Sequence, residues 1–212
     1  MMEKVLYILI LIMLENSNFY KDIETIYNPT SYDFIVNKNI KLTSDYVPND
    51  LELIDLNYSC ENKYLRKEAK IAFEKMVKKA KKDGYTIIAV STYRSYEYQE
   101  KLYNGYVKDK GFYYADMASA RAGHSEHQTG LAVDVANSTL DYDNFEDTKE
   151  FIWMKNNAHK YGFILRYPKA KFHITGFKYE PWHYRYVGID IATYIYENDI
   201  TLEEYKSINE NK

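Results

Sequence analysis

Cysteine is all but missing from this 212-residue chain: Cys60 stands alone. A single thiol excludes an intrachain disulfide and any metal site built on thiolates. Cys60 has no histidine or aspartate pattern beside it, so it reads as a packed or incidental thiol rather than a nucleophile. A basic stripe is missing as well. Lys+Arg number 28 against Asp+Glu 31, the net charge is -3, and the two signs are interspersed. That balance excludes the electrostatic footprint of a nucleic-acid binder. Internal repeats and low-complexity linkers are also absent. Hydrophobic residues at 46% and charged residues at 28% describe an ordinary globular chain with a sizeable core.

A long apolar run is lacking too. Val5 to Leu14 is apolar, but spans only about 15 Å as a helix, too short for a bilayer core. Its length suits the apolar region of a signal peptide. The preceding Lys4 is offset by Glu3, and no small-residue cleavage site follows Glu15. We expect an export or anchoring segment over 1–19, with a buried strand or helix as the alternative. The expectation for location is then the cell envelope, outside the cytoplasm and with a membrane anchor as one form; a cytoplasmic location is the alternative.

What is present is organised as follows. Residues 20–60 are polar and loop-like and are expected to pack as an extended N-terminal segment, with Phe34-Ile35-Val36 a strand candidate. From Glu61 to Asp83, Tyr64, Leu65, Ala69, Ala72, Phe73, Met76, Val77 and Ala80 recur at helical spacing and Gly84 follows, which predicts an amphipathic helix. Thr86–Val90 reads as a buried strand, Tyr96–Val107 as a helix, and Leu131–Val135 as a strand after a turn at Gly130. Asp147–Tyr161 reads as a helix capped by Asp147 and stopped by Gly162. Phe163–Tyr167 and His183–Val187 read as strands and Ile189–Glu197 as a short helix. The polar tail, 199–212, is expected to fray from Lys206. Helices and strands mix without strict alternation, so the fold class is α+β: a small antiparallel sheet flanked by helices, with the catalytic domain over 61–198. The 24 tyrosines are read as packing and surface bias rather than as an aromatic groove.

The chemistry concentrates in Ser125-Glu126-His127-Gln128-Thr129-Gly130-Leu131-Ala132-Val133-Asp134, answered by Glu180-Pro181-Trp182-His183. Two imidazoles and a carboxylate are the ligands of a zinc site with an open fourth position. His127 and Asp134 are placed by a turn running into a strand, and His183 closes the site from a second strand. Glu180 is the candidate general base; its structural alternative is an ion pair, with Arg185 for example. His124 is given no catalytic role, His159 is expected on an exposed helix face, and His173 lacks the Glu-x-x-His arrangement of His183.

Together with Ser91-Thr92-Tyr93-Arg94-Ser95 and Gln99, these motifs resemble the VanY-type D-alanyl-D-alanine carboxypeptidases, zinc peptidases of the M15 family. The resemblance runs from about Tyr46 to Gly188, with the motifs in the family's order. It implies an α+β fold around an antiparallel sheet and removal of D-amino acids from peptidoglycan stem peptides. Residue by residue, it implies zinc ligands His127, Asp134 and His183, a base at Glu180, and Arg94 at the oxyanion. It also implies Ser125 on the substrate's terminal carboxylate, with Tyr93 and Gln99 as further substrate-binding candidates. Trp182 is expected as a wall of the site. Thr92 replaces a frequent glycine and Phe172 a frequent charged residue, which bears on substrate preference more than on activity. The expected reaction is removal of the terminal D-alanine from stem pentapeptides; L,D-carboxypeptidase action on tetrapeptides and a non-catalytic peptidoglycan-binding module are the alternatives. The expected partners are stem peptides or their precursors, with no nucleic acid, and the expected state is a monomer.

Overall fold

A computed structural model describes residues 19–210. The expected export or anchoring segment therefore lies outside the described residues, apart from Phe19. No helix among the described residues is long and apolar enough to cross a membrane.

The N-terminal part holds two small ladders. β1 (Glu24–Ile26) runs parallel to β2 (Ile40–Leu42), and β3 (Leu51–Leu53) antiparallel to β4 (Tyr64–Arg66). Then come α1 (Lys67–Lys82), β5 (Ile88–Ser91), α2 (Tyr96–Lys110), α3 (Phe112–Ala118) and β6 (Ala132–Ala136). A short 3-10 turn, Glu126–Thr129, precedes β6. The chain continues through α4 (Lys149–Asn157), β7 (Phe163–Leu165), α5 (Phe172–Thr175), β8 (His183–Tyr186), α6 (Ile189–Asn198) and α7 (Leu202–Glu210). The main sheet has the order β5-β6-β8-β7 and is antiparallel throughout, the α+β architecture the sequence predicts.

Side chains alternate across a strand, and here the alternation divides two environments. Val133 and Val135 of β6 and Tyr184 and Tyr186 of β8 join the hydrophobic core, together with Phe73, Met76 and Val77 of α1. The helical spacing read from the sequence thus finds its partner: α1 lies on the apolar face of the sheet. Burying each such large side chain contributes about 1.5–3 kcal/mol. Asp134, His183 and Arg185 project from the opposite face and are buried as well.

Several expectations are corrected. Tyr64 and Leu65 do not open the helix. They pair with Leu53 and Glu52 across the β3–β4 ladder, and α1 begins only at Lys67. Phe34-Ile35-Val36 forms no strand, although Phe34 and Val36 are buried. Helix α4 is capped by Thr148 rather than Asp147: the Thr148 hydroxyl accepts from the Phe151 amide at 3.1 Å. His159 is not exposed, because its ring stacks on Tyr196 at 3.7 Å and 8°. The expected fraying from Lys206 is not seen up to Glu210, where the residues belong to α7; residues 211–212 lie outside the described ones. Thr201 and Glu204 form a reciprocal capping box, with Thr201 N–H donating to Glu204 Oε2 at 2.7 Å and Glu204 N–H to Thr201 Oγ1 at 3.2 Å. Leu202 is fully buried, so α7 is docked as well as capped. The pattern Thr201-x-x-Glu204 ahead of this helix was present in the sequence.

Gly130 links the 3-10 turn to β6 with φ +68°, in the left-handed region, and a Cβ there would lie 2.9 Å from Leu51 Cδ2 and 3.0 Å from Arg66 Cγ. Gly130→Ala is expected to lower the free energy of unfolding by about 1–2 kcal/mol from backbone strain alone, read from urea melts against the parent protein.

Candidate metal centre and cleft

The register of the main sheet assembles the site. Ser91 of β5 pairs with Asp134 of β6, and Asp134 pairs with His183 of β8. Asp134 and His183 therefore stand side by side on the polar face. His127 arrives from the 3-10 turn, whose N-cap Ser125 accepts the His127 amide at 3.3 Å. The segment after β5 is tied to the same turn, because the Arg94 amide donates to the His127 carbonyl at 3.2 Å.

Each imidazole is fixed through one nitrogen. His127 Nδ1 lies 2.6 Å from the Thr92 carbonyl, and His183 Nε2 lies 3.4 Å from Glu126 Oε2. The other nitrogens face Asp134. His127 Nε2 is 3.2 Å from Oδ2 and His183 Nδ1 is 2.8 Å from Oδ1. One donor atom from each of the three residues lies within 4.8 Å of the others. This donor set fits zinc: two nitrogens and an oxygen converge, and both rings are oriented by the carbonyl or carboxylate contacts that metal-binding histidines typically make. Burial, with Arg94 adding to it, draws His127 down to about 4, so its ring is neutral near pH 7. Burial opposes ionisation of Asp134, but His127 and His183 outweigh it and hold the carboxyl well below its usual range.

Glu180 is placed by main-chain bonds rather than by a helix. Its N–H donates to the Tyr167 carbonyl at 3.1 Å and its carbonyl accepts from the His183 amide at 3.2 Å. Its carboxylate comes within 3.9 Å of His183 Nδ1. Burial, reinforced by Asp134 and opposed by His183, pushes Glu180 up to about 7. A carboxylate poised there exchanges a proton readily at neutral pH. The structural alternative is not realised, since Arg185 pairs with Glu126 instead. Arg94 donates from Nη1 to Ser91 Oγ at 3.1 Å, and its buried Nε has no partner among the described residues.

Arg94, Ser125, His127, Asp134, Glu180 and His183 all line one cleft of about 560 Å³, and Trp182 forms part of its wall. Gln99 does not line it: its amide nitrogen is used on Ser119 Oγ at 3.2 Å and the Ala120 carbonyl at 2.7 Å. Gln99 thus braces a wall of the cleft from behind, since Ser119 and Ala120 are lining residues. Tyr93 is also outside the lining. Its amide is tied to the Tyr64 carbonyl at 3.1 Å, and its neighbour Arg94 takes the cleft side. Thr92 is buried; its hydroxyl accepts the Tyr64 amide at 3.0 Å while its carbonyl orients His127. Phe172 packs edge-on against Phe19, with ring centroids 6.1 Å apart. His124 Nδ1 lies 2.8 Å from the Asn37 carbonyl, and His173 is exposed on α5. Five tyrosines do line the cleft (Tyr98, Tyr106, Tyr114, Tyr142 and Tyr167), so tyrosine in this chain is more than surface bias.

The sequence reading missed Glu126 and its partners. Glu126 has no exposed side-chain surface and accepts at 2.8 Å from both Arg166 Nε and Arg185 Nη1. Burial acts to raise its carboxyl, but the two guanidiniums and His183 outweigh it and hold it far below the usual range. The available signal was an arginine inside each of two strand runs, Leu165-Arg166-Tyr167 and Tyr184-Arg185-Tyr186. A cation flanked by apolar residues in a strand needs a buried carboxylate. Tyr167 was also missed; its ring lies 4.9 Å from that of His183 at 32°.

Comparison with known proteins gives a consistent result. The family described as VanY, D-alanyl-D-alanine carboxypeptidase, matches residues 62–189. The putative carboxypeptidase YodJ of Bacillus subtilis (strain 168) is 45% identical over 202 residues, covering 89% of this chain and 74% of that protein. Among solved structures, the LdcB LD-carboxypeptidase superposes with a TM-score of 0.82 at 45% identity, covering 88% of this chain and 91% of that one. A VanY D,D-pentapeptidase from a VanB-type vancomycin resistance cassette, solved with Zn(II), gives a TM-score of 0.70 at 34% identity, covering 82% and 98%.

Glu126→Gln leaves two buried guanidiniums short of their shared anion. The expected cost at pH 7 is about 3–5 kcal/mol of stability in urea melts. The sign of its pH dependence follows from a folded-state pKa below the unfolded value of 4.5. The stabilisation is present above that pH and is lost as pH falls, so the gap between parent and variant narrows in acid.

Proposed function

The chain belongs to the VanY family of D-alanyl-D-alanine carboxypeptidases, and on that premise we propose that it is a zinc-dependent enzyme removing the C-terminal D-alanine from peptidoglycan stem pentapeptides. The observation that carries this reading is the placement of the Glu180 carboxylate 3.9 Å from His183 Nδ1, beside the three converging donors of His127, Asp134 and His183. Zinc held by those donors supplies Lewis acidity, polarising a carbonyl and lowering the pKa of water toward ~7.

The protein's own residues supply the rest. Glu180 accepts the proton of the attacking water and passes it to the leaving amine, a role suited to a carboxylate pushed up to about 7. Arg94 lines the cleft as a permanent cation, its charge set against the negative charge that develops on the scissile oxygen. Ser125 Oγ accepts one bond from the His127 amide and keeps its own proton for the substrate's terminal carboxylate. The cleft tyrosines and Trp182 flank the stem peptide. A non-catalytic peptidoglycan-binding module is disfavoured, since ligands, base and arginine are all retained. A peptidoglycan substrate agrees with action outside the cytoplasm.

One observation favours a second reading. The LdcB LD-carboxypeptidase superposes with a higher TM-score than the VanY pentapeptidase, 0.82 against 0.70, which supports L,D-cleavage of the stem tetrapeptide. Mass spectrometry of products from defined tetra- and pentapeptides separates the two. Pentapeptide shortened by one D-alanine, with tetrapeptide untouched, is the D,D result; the reverse is the L,D result. Either activity is expected to stop with a chelator and return with zinc. Metal-replete protein that releases no amino acid from either peptide would sink the proposal.

Glu180→Ala is expected to lower kcat by about 10²–10⁴, and Arg94→Ala by about 10²–10³, both in single-turnover assays. Because Glu180 must be ionised to accept a proton, kcat/KM is expected to climb with pH on the acidic side. The rise levels off at or below about 7, as the metal's charge moves it downward.

A further inference from the structure

We infer that Glu203, on the C-terminal helix α7, is a positioning residue for His183, acting through Arg166 and Glu126. The inference rests on the proposed metal-binding role of His183 and extends it to a helix outside the cleft. Glu203 is absent from the cleft lining, so it acts on substrate only through other groups.

The connection is a chain of charged contacts. Arg166 donates from Nη1 to Glu203 Oε2 at 2.8 Å and from Nη2 to Glu203 Oε1 at 2.6 Å, a bidentate pair. Its remaining Nε donates to Glu126 Oε1 at 2.8 Å. Arg185 Nη1 donates to the same oxygen, also at 2.8 Å. With Oε1 shared by both arginines, Oε2 is the oxygen turned to His183 Nε2, at 3.4 Å. Arg166, Arg185 and Glu126 have no exposed side-chain surface, and Glu203 has 15%.

Charge and geometry both depend on the last member. Two carboxylates and two guanidiniums make the cluster neutral. Without the Glu203 charge, one positive charge is in excess beside a position meant for a cation, in a region with little solvent to screen it. A glutamine there keeps one acceptor oxygen and turns the other position into a donor, so Arg166 also loses one of the two bonds that fix its plane. The Nη group so freed can then turn toward Glu126 Oε2, the oxygen that faces His183. Arg185 is less free to move, because its Nε is held by the Tyr186 carbonyl and its Nη2 by the Tyr32 and Phe34 carbonyls. Helix α7 is held in place independently of Glu203, by its capping box, by buried Leu202, and by Lys171 against Glu204 at 3.0 Å. That separation makes the role testable.

The experiment compares full-length Glu203→Gln with Glu204→Gln, which disturbs the same helix without touching the chain of contacts. Histidine-selective ¹⁵N NMR reads the His183 ring N–H in metal-free and zinc-loaded protein, and chelator competition reads the zinc dissociation constant. Glu203→Gln is expected to shift the His183 ring signal, to weaken zinc binding by about tenfold, and to lower kcat with little change in KM. Glu204→Gln is expected to leave the ring signal and zinc binding near the parent's. An unmoved His183 signal in Glu203→Gln, or the same shift in both variants, overturns the inference. Should Glu203→Gln fail to fold, Glu203→Asp makes the same comparison, with a partial shift expected. If the parent takes up no zinc, the proposed function fails while the metal-free ring signal still decides this inference.

Discussion

A carboxylate with no exposed surface must be neutralised where it stands, and Glu126 is that carboxylate here. Its two arginine partners come from different places, Arg185 from β8 and Arg166 from the segment just after β7. Its second oxygen faces the imidazole of His183. One buried anion therefore fastens the 3-10 turn to the far strands of the sheet. Through Arg166 it also reaches the C-terminal helix, and through Arg185 the main chain at Tyr32 and Phe34. The polar face of the sheet depends on this group much as the apolar face depends on Phe73 and Met76 of α1.

Both faces then serve the cleft. The apolar face sets how β6 and β8 lie, and the register between them sets Asp134 beside His183. The polar face sets how the rings turn. His127 is oriented by a main-chain carbonyl and His183 by a carboxylate. The difference has a consequence for robustness. The Thr92 carbonyl survives any change of side chain at that position, whereas the Glu126 contact is lost with a single substitution.

The convergence of the candidate donors and of the candidate base was legible in the sequence because their chemistry is carried by rare residue types at short spacings: His127 with Asp134, and Glu180 with His183. The sheet was legible from runs such as Ala132–Ala136, and α1 from its helical period. What was not legible depended on partners distant in the chain. Glu126 lies beside the candidate donor His127, yet its role needs Arg166 and Arg185, about forty and sixty positions away. Gln99 and Tyr93 sit in the right stretch of sequence, but local hydrogen bonds and the direction of the chain turn them from the cleft. Tyr64 and Leu65 fit a helical period and were claimed instead by a ladder with Leu51–Leu53. The C-terminal helix was hidden by its polar composition, although its capping box was written in the residues.

The alternation of β6 and β8 has one more consequence. Val133 and Val135 face oil while Asp134 between them faces the cleft, and Tyr184 faces oil between His183 and Arg185. A slip of one residue in the pairing would exchange the two sets at once, sending charges into the core and valines into the cleft. A one-residue slip thus cannot bury the valines without also parting Asp134 from His183, so the hydrophobic effect that closes the core rejects, in the same event, the nearest wrong alignment of the cleft.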